Sequence, residues 1–176
     1  MTPRTVVLVE GDSDAVVVAL LARRNGLVEA TEVVPMGGVT NVGRHVRRLA
    51  SGERGVLVLG LCDAPERRFL ERAEPALDGI FVCDRDLEEE LIRAVGPDQV
   101  LDVLDELDEL GRFRTFQAQP EWRERPLPDQ LRRFAGTRSG RKAVLAERLA
   151  GRLTPRTTPR ALAELFAVVE RQAVER

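Results

Sequence analysis

Four short apolar runs, separated by segments of helical length, constrain this chain more than any other feature. Val6-Val-Leu-Val9, Glu32-Val-Val-Pro35, Val56-Leu-Val-Leu59 and Ile80-Phe-Val-Cys83 are rich in β-branched residues and mostly lack polar alternation. They read as strands buried on both faces. Residues 14–24, 40–50 and 65–73 lie between them, and residues 87–95 follow the fourth. The alternation predicts an α/β fold, a four-stranded parallel sheet with flanking helices and right-handed crossovers. Gly11, Gly37-Gly38, Gly60, Asp84 and Asp86 fall where the runs end, and open parallel sheets bind ligands outside the carboxyl ends of their strands. The site is expected there.

Beyond Gly96-Pro97 the strand signal stops, which divides the chain into an α/β core over residues 1–96 and a helical, Arg-rich extension over 97–176 that packs on it. Leu101, Leu104, Leu107 and Leu110 space an amphipathic helix over residues 100–110, whose five acids read as a solvated face. Residues 112–128, mixing arginines, prolines and the single tryptophan, read as irregular connection. Two helices are expected after that, over about 140–152 and 160–174, with a turn-rich linker at 154–159. The net charge of −2 conceals a division. Residues 1–110 hold 12 basic and 22 acidic side chains, residues 111–176 hold 15 and 7, so the two parts stand at −10 and +8. A basic surface able to meet phosphate is joined to a body that carries carboxylates.

Composition narrows the chemistry. One histidine and two cysteines cannot assemble a Cys/His zinc site or a disulfide framework. His45, among Arg44, Arg47 and Arg48, reads as a surface residue, and Cys62 and Cys83 as small buried hydrophobes. The longest wholly apolar stretch, residues 15–22, is far below the roughly 20 residues of a membrane span. With no signal-peptide pattern, the expected address is the cytoplasm and no membrane partner is expected.

Carboxylates collect at the strand ends. Glu10 closes the first run, Gly11 permits a turn, and Asp14 falls in the first turn of the next helix, where the dipole favours an acid. Asp63 follows the third run in Gly60-Leu-Cys-Asp-Ala-Pro-Glu66, and the fourth ends in Asp84-Arg-Asp-Leu-Glu-Glu-Glu90. Each acid alone can be a cap or a solvated charge. Together, without histidine or thiolate, they form the oxygen ligand set of a hard cation, Mg2+ or Mn2+.

Lys142 is the only lysine beside 26 arginines. It closes Gly136-Thr-Arg-Ser-Gly-Arg-Lys142, at the expected start of a helix capped by Ser139, where its cations oppose the helix dipole unless an anion docks. Its Gly-x3-Gly-x-Lys spacing is not that of a Walker A loop, and no ATPase motif is visible. Arg132, Arg133, Arg138 and Arg141 flank it as candidates for tracking a phosphate backbone.

Val6-Val-Leu-Val-Glu-Gly-Asp-Ser-Asp14, Pro35-Met-Gly-Gly38, Gly60-Leu-Cys-Asp63 and Asp86-Leu-Glu88 together resemble the TOPRIM domain, in the form found in OLD (overcoming lysogenization defect) nucleases. The turn at Arg141-Lys142-Ala-Val-Leu-Ala146 resembles the lysine-bearing C-terminal helix of that family. The resemblance implies a TOPRIM, Rossmann-like core and a two-metal nuclease acting on nucleic acid, DNA ahead of RNA. Glu10, Asp14, Asp63 and Glu88 would be metal ligands, with Glu10 and Asp63 central to catalysis, and Lys142 would stabilise transition-state charge. That role requires the helix near Gly140 to fold back over the sheet's carboxyl edge. The family's Asp-x-Asp is altered here, with Pro65 in the second place and Glu66 one residue later as its substitute ligand. The ATPase of long OLD proteins has no counterpart in the sequence, which leaves a separately encoded ATPase or helicase as an expected partner. Two other readings remain open at this level: a degenerate TOPRIM module that binds nucleic acid or a protein without catalysis, and a phosphohydrolase of small phosphates on another doubly wound sheet.

Overall fold

The structure, a computed structural model, describes residues 5–51, 55–73, 76–138 and 140–174. Strands β1 (Thr5–Val9), β2 (Thr31–Pro35), β3 (Leu57–Asp63) and β4 (Gly79–Cys83) pair in parallel in the order β2-β1-β3-β4. Helices α1 (Asp12–Arg24), α2 (Val42–Ala50), α3 (Arg67–Glu71) and α4 (Leu87–Val95) alternate with them. Both faces are covered, so the strands need no polar side. Val7, Val9, Leu59, Leu61, Phe81 and Cys83 pack into the larger core, while Val6, Leu8, Val58 and Cys62 meet Met36, Val46 and Leu70 on the opposite face. The period-2 geometry of a strand sends neighbouring residues to opposite cores, each of them apolar.

Gly60 is interior to β3, not a strand terminus. A Cβ at this position would lie 2.5 Å from Leu70 Cδ2, so the glycine is a recess for α3 rather than a turn. β3 consequently runs on to Asp63 and delivers that carboxylate at its very end. The expected helix over 65–73 is instead a 3₁₀ turn, Ala64–Glu66, followed by the five-residue α3. His45 is half-buried rather than fully on the surface, and its Nε2 is buried without a hydrogen-bond partner among the described residues.

The C-terminal part is more helical than its sequence suggests. α5 (Pro97–Glu106) begins earlier than expected, and residues 112–128 are not simply connection: α6 (Leu110–Gln117) and the start of α7 (Leu127–Ala135) lie there. Phe113, Phe116 and Phe134 form a ring cluster with centroids 5.2–6.3 Å apart, and Trp122 stacks on Phe116. That aromatic packing is what orders an arginine- and proline-rich stretch. α8 (Arg141–Arg152) and α9 (Arg160–Val174) follow as expected. The larger core runs without a break from Val7 to Val169, so the extension and the sheet share it. No described helix is long and apolar enough to cross a membrane.

Candidate metal centre

Because β1 and β3 are neighbours in register, with Leu8 opposite Gly60, the residues that leave their carboxyl ends emerge side by side. Glu10 follows β1 and Asp63 ends β3. The 3₁₀ turn after Asp63 advances about three residues per turn, which returns Glu66 to the side of Asp63. One carboxylate oxygen from each of Glu10, Asp63 and Glu66 lies within 4.8 Å of the others. Pro65, which displaces the second acid of the Asp-x-Asp pattern, sits at the start of that turn and so helps set the geometry that brings Glu66 in.

Two acids surround this trio without joining it. Asp14 is the third residue of α1, and its Oδ2 accepts the Gly11 N–H at 3.0 Å, which fixes the turn after Glu10. Glu88, in the first turn of α4, is buried and pairs with Lys142 Nζ at 2.9 Å. The Leu87 N–H donates to Asp63 Oδ1 at 3.1 Å, tying the end of β3 to the start of α4. Asp86 caps α4 by accepting the Glu89 N–H at 2.8 Å and takes an ion pair from Arg132. It is a structural acid.

Crowded like charge leaves its mark on proton affinity. Burial, then the negative charges of Asp14, Glu88 and Asp86, pushes Asp63 up to about 7 against the single opposing hydrogen bond from Leu87. Glu66 reaches about 8, first because its carboxyl hydrogen-bonds that of Glu10, then through burial and further carboxylates. Burial raises Asp14 to about 6, with the Gly11 N–H pulling the other way. Lys142 is desolvated, which lowers its proton affinity, yet Glu88, Asp14 and Asp63 outweigh this and hold the ammonium charged. Burial pushes the Cys62 thiol up to about 12 and raises Cys83 as well, so neither is a thiolate nucleophile at neutral pH.

The flanking arginines divide by partner. Arg141, with only 9% of its side chain exposed, stacks over Phe134 and donates to Glu109 Oε2 at 2.9 Å. Arg138 and Arg112 also reach Glu109, at 3.3 and 3.4 Å. Arg133 is exposed. Glu109 thus belongs to no solvated face: its side chain is 12% exposed and serves three guanidinium groups. Nothing local in the sequence marks it, because two of those partners lie 29 and 32 residues further on. The expected cap Ser139 lies outside the described residues; Gly140, at φ 80°, occupies the N-cap of α8.

The site is thus a set of carboxylates gathered at the carboxyl edge of a parallel sheet, with a lysine brought to it by a later helix. Comparison with solved structures gives that architecture a particular likeness. The chain superposes on the C-terminal region of the Burkholderia pseudomallei OLD protein with a TM-score of 0.67 at 19% identity, covering 99% of this chain and 100% of that one. The C-terminal region of the Xanthomonas campestris pv. campestris OLD protein is similar at TM-score 0.64 and 22% identity, over 98% of each chain. The fold is therefore the TOPRIM fold of OLD C-terminal regions. No protein-family model matches the sequence, and no curated protein matches it.

Proposed function

We propose that the protein cleaves phosphodiester bonds of nucleic acid, DNA in preference to RNA, using Mg2+ or Mn2+ held by Glu10, Asp63 and Glu66 with Asp14 and Glu88 close by. The observation that carries this reading is the meeting of three carboxylates within 4.8 Å, where burial and neighbouring carboxylates push Asp63 up to about 7, and a hydrogen bond with Glu10 together with burial pushes Glu66 up to about 8. The donor set suits a hard cation, being all oxygen. Glu66 Oε2 adds a second argument, since it is buried and has no hydrogen-bond partner among the described residues. Bound there, the ions would supply Lewis acidity, a more acidic attacking water and stabilisation of the leaving oxygen.

The chain's own groups have separable tasks. Glu66 and Asp63, whose proton affinities are raised, give up protons as the site loads. The Gly11 and Leu87 N–H groups hold the carboxylates of Asp14 and Asp63 in place. Lys142, half-exposed and steadied by Glu88, offers an ammonium toward a phosphate that enters the crevice. Arg133 and Arg138 present exposed guanidinium groups to the backbone of the strand, with Arg132 and Arg141 braced behind them by Asp86 and Glu109.

The test is a cleavage assay on plasmid and single-stranded DNA with Mg2+ and then Mn2+. Cutting that EDTA stops and Asp63→Asn abolishes is the expected result. Nucleic-acid binding without cutting would mark a non-catalytic module, and hydrolysis confined to small phosphate esters would mark a phosphohydrolase. Either would overturn the proposal.

A further inference from the structure

Beside the start of α8, lined by none of the crevice carboxylates, lies a second cleft of about 490 Å³. Successive residues of that helix face the two places: Lys142 pairs with Glu88 in the crevice, while Arg141 lines the cleft. Arg112, Arg133 and Arg138 also line it, together with Phe116 and Trp122. The four guanidinium groups have two carboxylates near them, Glu109 behind and Glu121 in the wall, so the cleft keeps a positive excess. Arg141 Nε is buried there without an acceptor among the described residues. Trp122 is half-buried, its ring 5.2 Å from that of Phe116 at 27°, a stack with an aromatic partner on one face.

Cation and aromatic surface in one recess fit an unpaired nucleotide better than either a duplex or a free anion. A duplex offers phosphates but keeps its base faces stacked inside, and inorganic phosphate offers no face for an indole. A single strand offers both, and base–aromatic stacking with a basic track is how such strands are held without sequence readout. We infer that the cleft between Trp122 and the rim of Arg112, Arg133 and Arg138 is a single-strand subsite that takes a base on the indole and its phosphates on the guanidinium groups. The inference rests on the nucleic-acid reading above and adds to it a second foothold, separate from the metal centre, that favours unpaired substrate.

The single tryptophan, in a chain with no tyrosine, makes this testable with the 176-residue chain, since intrinsic emission excited at the indole edge comes from Trp122 alone. An oligothymidylate of about 12 nucleotides, within the usual site size for such binders, is titrated in EDTA while a labelled copy reports total binding by anisotropy. The expected result is saturable quenching of Trp122 by the single strand, with little from a duplex of the same length or from pyrophosphate. Arg133→Glu combined with Arg138→Ala, both at exposed positions, should weaken single-strand binding roughly 10-fold or more and move the quenching to correspondingly higher concentration. Trp122→Phe, read by anisotropy, should retain most of the affinity and Trp122→Ala lose roughly 10-fold. Binding with unchanged Trp122 emission and no response to the arginine changes would overturn the subsite while leaving the nuclease reading intact. Equal quenching by pyrophosphate would reduce the cleft to an anion site and overturn the single-strand assignment. Failure of every nucleic acid to bind would remove the nuclease reading as well.

Discussion

The acidic crevice and the helical extension carry opposite charges, but they treat those charges differently. In the crevice, Glu10, Asp63 and Glu66 crowd together, and Asp63 and Glu66 keep protons well above the usual carboxylate range. In the extension, most cations with a defined neighbour already have a carboxylate: Arg132 with Asp86, Arg141 with Glu109, Lys142 with Glu88 and Arg152 with Glu106. Much of the extension's excess of +8 is thus directed inward, onto the acids of the core and of α5 and the loop after it. A crowd of carboxylates at a sheet edge is a candidate cation site, whereas a set of matched pairs is a dock. The basic part is consequently a clamp that carries Lys142 to the crevice, as well as the surface proposed to meet nucleic acid. Arg24 adds to this clamp from the core side, donating to the Leu153 carbonyl at 2.7 Å.

The largest expected effect breaks the crevice. Asp63→Asn keeps the shape and the Leu87 hydrogen bond but removes the central charge, and cleavage in a single-turnover assay should fall by roughly 10³-fold, at the upper end for loss of a group acting on transition-state charge. Lys142→Ala should cost roughly 10²-fold in the same assay while Mn2+ affinity holds, and Lys142→Arg should rescue little, because a planar fork does not replace a compact ammonium beside Glu88. Loss of Mn2+ affinity along with rate in the Lys142 variants would mean that the lysine acts through the ligands, not on the phosphate.

Smaller effects separate scaffold from site. Gly60→Ala drives a methyl into Leu70 and should destabilise by about 1–3 kcal/mol, seen as a lower Tm, without changing the proton affinities of the crevice. Arg132→Ala tests the dock. Its pair with Asp86 is partly exposed, so a loss near 1 kcal/mol is expected, and a loss of activity larger than that would promote Arg132 from docking to substrate contact.

How far the sequence reveals this arrangement depends on which forces are local. The strands are legible because both of their faces are apolar, and Glu10, Asp14 and Asp63 are legible because acids that follow such runs must lie at the carboxyl edge. The reach of β3 is not, because Gly60 reads as a turn until Leu70 is seen filling the space above it. α6 and α7 escape notice among arginines and prolines, although Leu110, Phe113 and Phe116, and Leu127, Leu131 and Phe134, recur at helical spacing. Glu109 was beyond local reading altogether: its burial depends on arginines from another helix start. The meeting of Glu66 with Glu10 depends on a 3₁₀ turn that a helical assignment of residues 65–73 conceals.

The same carboxylates predict a pH dependence of stability whose sign differs from ordinary acid denaturation. A carboxyl whose folded pKa is raised binds more protons in the native state than in the unfolded one between its two pKa values, so stability falls as pH rises through that interval. For Asp63 and Glu66 the interval runs from the ordinary carboxylate range to about 7 and about 8. In EDTA the Tm should be lower at the top of this interval than near its foot, and Asp63→Asn should flatten much of the slope. Added Mn2+ should restore the Tm mainly at the upper end, where the ligands are deprotonated.

The account stands most directly on whether the crevice binds a divalent cation through these carboxylates. Titration calorimetry with Mn2+ near pH 7, repeated in buffers of different ionisation enthalpy, reports both the binding and the protons released by it. The account predicts saturable binding by the parent protein with net proton release, because Asp63 and Glu66 hold protons at that pH. It predicts no saturable binding by Asp63→Asn. Equal Mn2+ binding by parent and Asp63→Asn, with heats that do not depend on the buffer, would contradict it.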